Sequence, residues 1–374
     1  MADHIECYKE YLAFEEGIRF VLKALSFSFW KGRIWNNFGR VLIPFLCLYF
    51  SSCCFEAFFI PTASLLQQMI SIMTSVAIVQ IFTKITSILY SEKDLNNIFD
   101  WLRDIHRVSQ FETVTNSAKI HLKRSINVTK ILPKILCGSY YGVVLCYLLY
   151  FTYHDAIVVT VIGFSPKENQ SLILYKIHQI LSTVTPTIFL CISDYIVISI
   201  AFYLIGVINI LQDMIKCLNN PEFIAEEKTF INSLYILHCE IIEKFANFVN
   251  FCYYIFTVQH LSNTCMMVSI FFILGKSQEF VLYPIFAIIL VQFGILCCFG
   301  EIICAKTENI FKDLYMTKWY ELSIKDQQKF LILMHGSQRS FGFKAAGMYD
   351  VNLMMFVKVI KISYSCCAIL YSFT

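Results

Sequence analysis

Residues 171–211 read SLILYKIHQILSTVTPTIFLCISDYIVISIAFYLIGVINIL and carry very little charge. As a single helix this stretch is about 60 Å long, roughly twice the thickness of the hydrocarbon core of a bilayer. It forms either two spans that break near Pro186 or one helix that projects beyond the membrane. The choice decides how many spans the chain has and on which side each connection lies.

The rest of the chain has the composition of a protein with many membrane spans. Of its 374 residues, 57% are hydrophobic and 15% are charged, whereas soluble domains average about 25% charged residues. The net charge of +3 does not suggest a nucleic-acid partner. Further apolar stretches of spanning length lie at 39–60, 64–90, 132–153, 255–275, 280–304 and 350–372.

The distribution of lysine and arginine decides between the two forms of the fourth segment. If it is one helix, basic residues gather before the first span and in the second, fourth and sixth connections. The opposite side then carries only Lys167, Lys176 and Lys276. Basic connections stay in the cytoplasm. We therefore predict an all-α membrane protein with seven transmembrane helices, a cytoplasmic N-terminus and an extracellular C-terminus.

Several helices extend past the membrane in this arrangement. The helical apolar pattern of the fifth begins near Ile241, and that of the sixth continues past Cys304 to about Tyr315. Apolar faces outside the bilayer need cover, so we expect the long helices to form a cytoplasmic anchor bundle. The predicted regions are a cytoplasmic segment 1–38, six spans in 39–304, an anchor region 305–348 and a last helix 349–374.

Several functional classes are excluded by missing motifs. The cysteines lie mostly inside apolar runs, and no Cys and His set has zinc-site spacing. No H-E-x-x-H or G-x-S-x-G motif is present, so we predict neither an enzyme nor a cofactor. A G-protein-coupled receptor would need the reverse orientation. The acidic residues Asp3, Glu6 and Glu10 before the first apolar run argue against a cleavable signal peptide.

The last apolar stretch carries polar residues on one face. A lysine at bilayer depth costs about 2.5–3.5 kcal/mol and normally faces water or protein. Spacings of three or four residues place the set on one helical stripe. The stripe faces either a water-filled pore or acidic residues of neighbouring helices. Its members are Lys358, Lys361, Ser365, Ile369 and Ser372.

Residues 314–370 resemble the C-terminal region of insect odorant receptors. The matching features are Tyr315, Trp319-Tyr320, Ser337-Gln338-Arg339, Ala346-Gly347 and Lys361-Ile-Ser363-Tyr364-Ser365. The resemblance implies a ligand-gated, non-selective cation channel in the plasma membrane, with four subunits around one pore. The connections carry no long insertion, so the chain looks like an odorant-tuning subunit that assembles with the family co-receptor. A gustatory-type homomeric channel and a G-protein-coupled receptor are the alternatives.

The resemblance also implies where a small volatile odorant binds. In that family the pocket lies in the outer half of the membrane, among the second, third, fourth and sixth helices. Methionine and tyrosine suit such a pocket because one adapts its shape and the other brings a hydroxyl. Ordinary helix packing is the alternative for each residue. The candidates are Met69, Met73, Gly142, Cys146, Tyr147, Tyr150, His178, Leu181 and Thr185.

The resemblance gives the last helix a role in conduction. Ile369 would form part of a hydrophobic constriction that gates by dewetting. Lys358 and Lys361 would line the wider vestibule on the cytoplasmic side. Outside the membrane, Asn169-Gln-Ser is a sequon in an extracellular connection and predicts a glycan, whereas Asn127-Val-Thr lies on the cytoplasmic side. Membrane lipid is the remaining expected partner.

Overall fold

The computed structural model describes residues 4–26, 38–60, 63–162, 172–219, 227–276, 279–338, 341–345, 347 and 349–372. Within them, 7 helices are long and apolar enough to cross a membrane, which confirms the predicted class. The sidedness of the termini and the domain boundaries remain predictions. The spanning helices are α2 (Phe38–Phe58), α3 (Leu65–Tyr90), α5 (Glu112–Tyr153), α6 (Leu172–Cys217), α7 (Glu227–Lys276), α8 (Leu282–Tyr315) and α10 (Leu353–Ser372).

The fourth apolar segment is one continuous helix. α6 runs from Leu172 to Cys217 with Pro186 inside it. Proline is tolerated within membrane helices because neighbouring helices and local adjustments satisfy the backbone groups that it frees. α8 ends at Tyr315, where the predicted apolar pattern also ends. The prediction of overlong helices is confirmed for both.

One end of the bundle, here called the loop end, carries the α2–α3, α5–α6 and α7–α8 connections. The hydroxyl of Ser71 in α3 donates to the carbonyl of Val158, in the chain that follows α5. Tyr150, near the end of α5, donates to Glu279 ahead of α8 at 3.0 Å. These contacts hold the α5–α6 connection against α3 and the α7–α8 connection against α5.

The opposite end, here called the anchor end, contains two helices that were not predicted. α1 (Tyr8–Ser26) and α4 (Glu92–Ile105) are shorter than a span and amphipathic. The Tyr11 hydroxyl donates to the carbonyl of Phe99 at 2.8 Å and joins them. A search for apolar runs of spanning length misses such helices, because only every third or fourth residue faces the core.

The chain reaches α10 through α9 (Ile324–Ser337) and a two-stranded hairpin, β1 (Lys344–Ala345) and β2 (Tyr349–Asp350). Gly347 in the turn has φ +69°, which glycine adopts readily. Gly300 of α8 lies against the backbone of Val351, which directly follows β2. A Cβ added at Gly300 would be 1.7 Å from the Val351 carbonyl oxygen. Arg339 and Ala346 of the C-terminal resemblance lie outside the described residues.

Among the described residues, those of the last helix that are fully buried against its own chain form one narrow stripe, with the half-buried Phe356 and Ile360 beside it. Its buried residues are Met355, Val359, Ser363 and Cys367. They are spaced four residues apart, so they form one line along α10. The remaining faces of α10 are largely exposed in the single chain.

Candidate functional site: an apolar cavity and the exposed face of the last helix

The structure contains a cavity of about 180 Å³ between α3, α5, α6 and α8. It lies in the half of the spans nearer the loop end. Its principal lining residues are Ile70, Met73, Thr74, Ala77, Gln80, Ile81, Tyr140, Val143, Val144, Tyr147, Ser182, Thr183, Pro186, Thr187, Leu190, Met266, Ile285, Ile288, Ile289 and Gln292.

The cavity wall is apolar even where its residues are polar. On α3 the residues Ile70, Met73 and Ala77 recur every three or four positions and form one face. The hydroxyls of Thr183 and Thr187 on α6 donate to carbonyls of their own helix at 2.9 and 2.8 Å. Because these hydroxyls are already paired within α6, the wall offers few polar groups to a ligand.

A buried ion pair lies below the deep end of the cavity, away from the loop end. Lys84 Nζ of α3 lies 2.5 Å from Asp194 Oδ1 of α6. The Tyr140 hydroxyl donates to the other oxygen, Asp194 Oδ2, at 2.6 Å, and the Gln292 amide approaches it at 3.4 Å. Both Tyr140 and Gln292 also line the cavity. The carboxylate therefore connects α3, α5, α6 and α8, the helices that supply all the lining residues except Met266 of α7.

This ion pair was not predicted from the sequence, although both charges lie in predicted spans. The 19 steps from Leu65 to Lys84 and the 22 from Leu172 to Asp194 correspond to depths of about 29 and 33 Å along their helices. Opposite charges at equal depth predict a pair, and that comparison was available from the sequence. Which helices are neighbours was not.

Some predicted pocket residues lie at the cavity and others nearby. Met73 and Tyr147 line it. Met69 packs partly buried against the main core, and Thr185 is half-buried on α6. His178 Nε2 lies 3.2 Å from the Tyr49 hydroxyl of α2, and Tyr150 bonds Glu279 as described above. Their roles in ligand binding remain predictions.

Three other predicted pocket residues are exposed on their helices and do not line this cavity. Gly142 and Cys146 of α5 and Leu181 of α6 lie outward. The residues of α5 that line the cavity are offset from Gly142 and Cys146 by one or two positions, and each position turns a helix by about 100°. The periodicity of an all-apolar helix does not indicate which side faces the bundle.

The predicted pore stripe lies on the exposed side of α10. Lys358, Lys361, Ser365, Ile369 and Ser372 are all exposed in the single chain. They are turned away from the buried stripe. Among the described residues, no carboxylate forms an ion pair with Lys358 or Lys361. The pore role of these lysines stays a prediction, and an acidic partner for either would lie outside the described part of this chain.

The anchor end has its own electrostatics. His106, after α4, is fully buried beside the Tyr11 ring at 4.3 Å. Its Nδ1–H donates to the Leu102 carbonyl at 2.7 Å. Burial lowers the pKa of His106 from 6.5 to about 4, because the charged imidazolium would lose its hydration. At neutral pH this histidine is uncharged in the folded protein.

Comparison with known proteins agrees with this architecture. The family model described as "7tm Odorant receptor" matches residues 62–364, which is most of the chain. The chain belongs to the 7tm odorant receptor family. The resemblance found at the C-terminus thus extends over five complete spans, α3 to α8, and into the sixth, α10, and the predicted family is confirmed. The family is one of receptors and not of enzymes, and the chain is a multi-pass protein of the plasma membrane.

Individual relatives are distant. Odorant receptor 49a of Drosophila melanogaster is 24% identical over 229 residues, or 60% of this chain. That match spans 50% of the relative's own length. In fold, the chain is similar to the insect olfactory receptor OR5 from Machilis hrabei in complex with eugenol, with a TM-score of 0.79. The two sequences are 14% identical, and the match covers 98% of this chain and 100% of OR5. The structure of that receptor described without eugenol matches with a TM-score of 0.74, the same identity and the same coverage.

The predicted glycan site, Asn169, lies outside the described residues.

Proposed function

We propose that this chain is an odorant-tuning subunit that binds a small volatile in the α3–α5–α6–α8 cavity and gates a non-selective cation channel. In this proposal it assembles with the family co-receptor into a heterotetramer. The observation that carries the proposal is the apolar cavity of about 180 Å³ in a chain of the odorant receptor family. A cavity of about 150 Å³ lined by apolar side chains binds benzene, so this one is large enough for a small volatile.

The exposed surface of α10 supports the channel part of the proposal. A spanning helix that contacts its chain along one stripe has faces left for other subunits, lipid or water. Its exposed lysines and serines suit water better than lipid. In the heterotetramer, this face and the last helices of the other subunits would together surround one aqueous path, with Ile369 in the hydrophobic constriction.

Coupling between cavity and pore follows from differential binding. A ligand shifts an equilibrium only by its difference in affinity between the two states. The ligand contacts residues of α3, α5, α6 and α8, and the α8 residues Gly294 and Gly300 pack against Phe356 and Val351, in and just before α10. Binding that favours one packing of α8 therefore changes how α10 is seated, which opens the pore.

The test is whole-cell current across a panel of volatiles, with the chain expressed alone and with an odorant receptor co-receptor. A fast cation current only in the co-expressing cells supports the tuning subunit. A current from the chain alone supports the gustatory-type homomeric channel, and a slow response that requires G proteins overturns both. An epitope after Thr374 that is stained on intact cells supports the predicted sidedness.

A pair of matched variants tests whether the cavity is the ligand site. Ala77→Phe places a ring in the cavity, whereas Val79→Phe adds the same ring at a nearby position of α3 that is 40% exposed. We expect Ala77→Phe to abolish or strongly reduce the volatile response and Val79→Phe to leave it intact. Equal responses from both variants would place the ligand elsewhere.

A further inference from the structure

The cavity contains few polar side chains, and nearly all of their donors are already used. Thr183 and Thr187 donate to carbonyls of α6. Tyr140 and Gln292 turn their polar groups to Asp194. A ligand therefore finds the threonine and Tyr140 hydroxyl hydrogens and one N–H of Gln292 already engaged, although each residue lines the cavity.

Gln80 is different. This α3 residue is 3% exposed and lines the cavity, and its amide nitrogen, Nε2, has no hydrogen-bond partner among the described residues. It lies one helical turn before Lys84, at the deep end. A buried amide without a partner loses its bonds to water and gains nothing in return. Such a group in a ligand cavity indicates that the partner comes from the ligand.

We propose that the preferred ligand is an oxygenated volatile whose carbonyl, ester or ether oxygen accepts a hydrogen bond from Gln80 Nε2. This inference rests on the proposed function. The amide nitrogen only donates, so the ligand must supply a lone pair. A hydrocarbon of the same shape fills the apolar walls equally well and leaves the amide unpaired. Sites built to hydrogen-bond a ligand discriminate strongly against analogues that lack the polar group.

A second buried polar group lies at the other end of the cavity. The Tyr147 hydroxyl is also buried and lacks a partner of normal geometry, with the Thr74 side chain beside it. Thr74 precedes Gln80 by six residues, about 9 Å along α3. The Thr74 hydroxyl donates to the Ile70 carbonyl, so its oxygen can accept from Tyr147. The ligand oxygen is therefore assigned to Gln80, and the apolar tail extends from there toward Tyr147.

The experiment compares two ligands that differ by one atom. Methyl pentyl ketone and the alkene in which a methylene replaces its oxygen have nearly the same shape. Each is tested on Gln80→Met, which keeps the volume of glutamine without its donor, and on Gln68→Met, a control on α3 outside the cavity. The readouts are current with the co-receptor and thermal stabilisation of the purified chain by each ligand, within a size-matched panel of oxygenated and hydrocarbon volatiles.

We expect the wild type and Gln68→Met to prefer the ketone by about tenfold in half-maximal concentration, the magnitude of one hydrogen bond. Gln80→Met should lose that preference and bind the alkene at least as well as the wild type does. Because it removes an unpaired buried group, it should also reach the cell surface normally.

Equal ketone and alkene affinities in the wild type, or a ketone preference that persists in Gln80→Met, would overturn the inference while leaving the proposed function intact. A hydrocarbon as the best ligand would overturn it too. If no volatile stabilises or activates the wild type, the proposed function fails together with the inference.

Discussion

α6 and α10 are both apolar helices that span the membrane, yet they relate to the rest of the chain in opposite ways. In its most apolar stretch α6 is 67% buried within the chain, whereas α10 is 22% buried. Their mean hydropathies there, 2.3 and 1.8, differ little. Hydropathy therefore predicts that a helix is removed from water. It does not predict whether other helices of the chain, lipid or another protein surrounds it. α6 is largely enclosed by the other helices of the chain, whereas most of the α10 surface faces outward.

Charge follows the same division. Asp194 of α6 meets Lys84 within the chain, whereas Lys358 and Lys361 of α10 have no carboxylate partner among the described residues. A buried charge that loses its partner is costly, and an exposed one costs little. We therefore expect substitutions of the charged residue in α6 to have large effects on stability, and substitutions in the exposed face of α10 to have small ones.

The largest effect is expected from Asp194→Asn. It leaves Lys84 buried without an opposite charge, which destabilises a protein by about 3–5 kcal/mol. The measurement is thermal unfolding of the detergent-purified chain, together with the amount at the cell surface. The double variant Lys84→Gln with Asp194→Asn removes both charges and should recover much of the loss. A single variant as stable as the wild type would mean that the ion pair does not form.

The next effect is expected from acid at the anchor end. The folded pKa of His106, about 4, lies below its usual 6.5, so the unfolded state binds the proton more readily. The stability is complete above pH 6.5 and falls as the pH is lowered toward 4, by up to about 3 kcal/mol. Hydrogen exchange of α1 and α4 at neutral and acidic pH measures this loss. His106→Phe keeps a ring against Tyr11 and should flatten the dependence at this site, whereas an unchanged slope would assign it to other groups.

A smaller effect is expected where α8 meets the chain that leads into α10. Gly300→Ala places a Cβ against the Val351 backbone, and such overpacking costs about 1–3 kcal/mol. Gly294→Ala is the control on the same helix, since its Cβ would meet Phe356 at an ordinary 3.8 Å. Thermal unfolding and basal current should change for Gly300→Ala alone. If both variants behave like the wild type, α10 is seated more loosely than the structure shows.

The smallest effect on stability is expected at Ile369, which is 57% exposed in the chain. Ile369→Ala should change unfolding by about 0.5 kcal/mol or less, as exposed substitutions do. It should nevertheless raise the basal current if it widens a hydrophobic constriction. Leu370→Ala, at the adjacent position and directed elsewhere around the helix, is the control. Unchanged basal current and gating in Ile369→Ala would remove it from the pore.

The sequence by itself determined the number of spans, the single long α6 and the class of the protein. Each of these depends on properties that can be summed along the sequence. One is the length of an apolar stretch compared with the thickness of the bilayer, and the other is the number of lysine and arginine residues on each side of the membrane. The family was recognisable from residues 314–370 for a similar reason, because its motif is local.

Only the tertiary structure decided which residues meet. Met73 and Tyr147 line the cavity, but Gly142, Cys146 and Leu181 do not, and an apolar helix carries no pattern that tells its inner face from its outer one. Lys84, Gln80 and Asp194 were readable as polar residues in spans, but their neighbours belong to helices far away in the chain. The short amphipathic helices α1 and α4 were recognised only from the tertiary structure, where they pack together at the anchor end. Depth in the membrane is a property of one helix, whereas a cavity and an ion pair are properties of several.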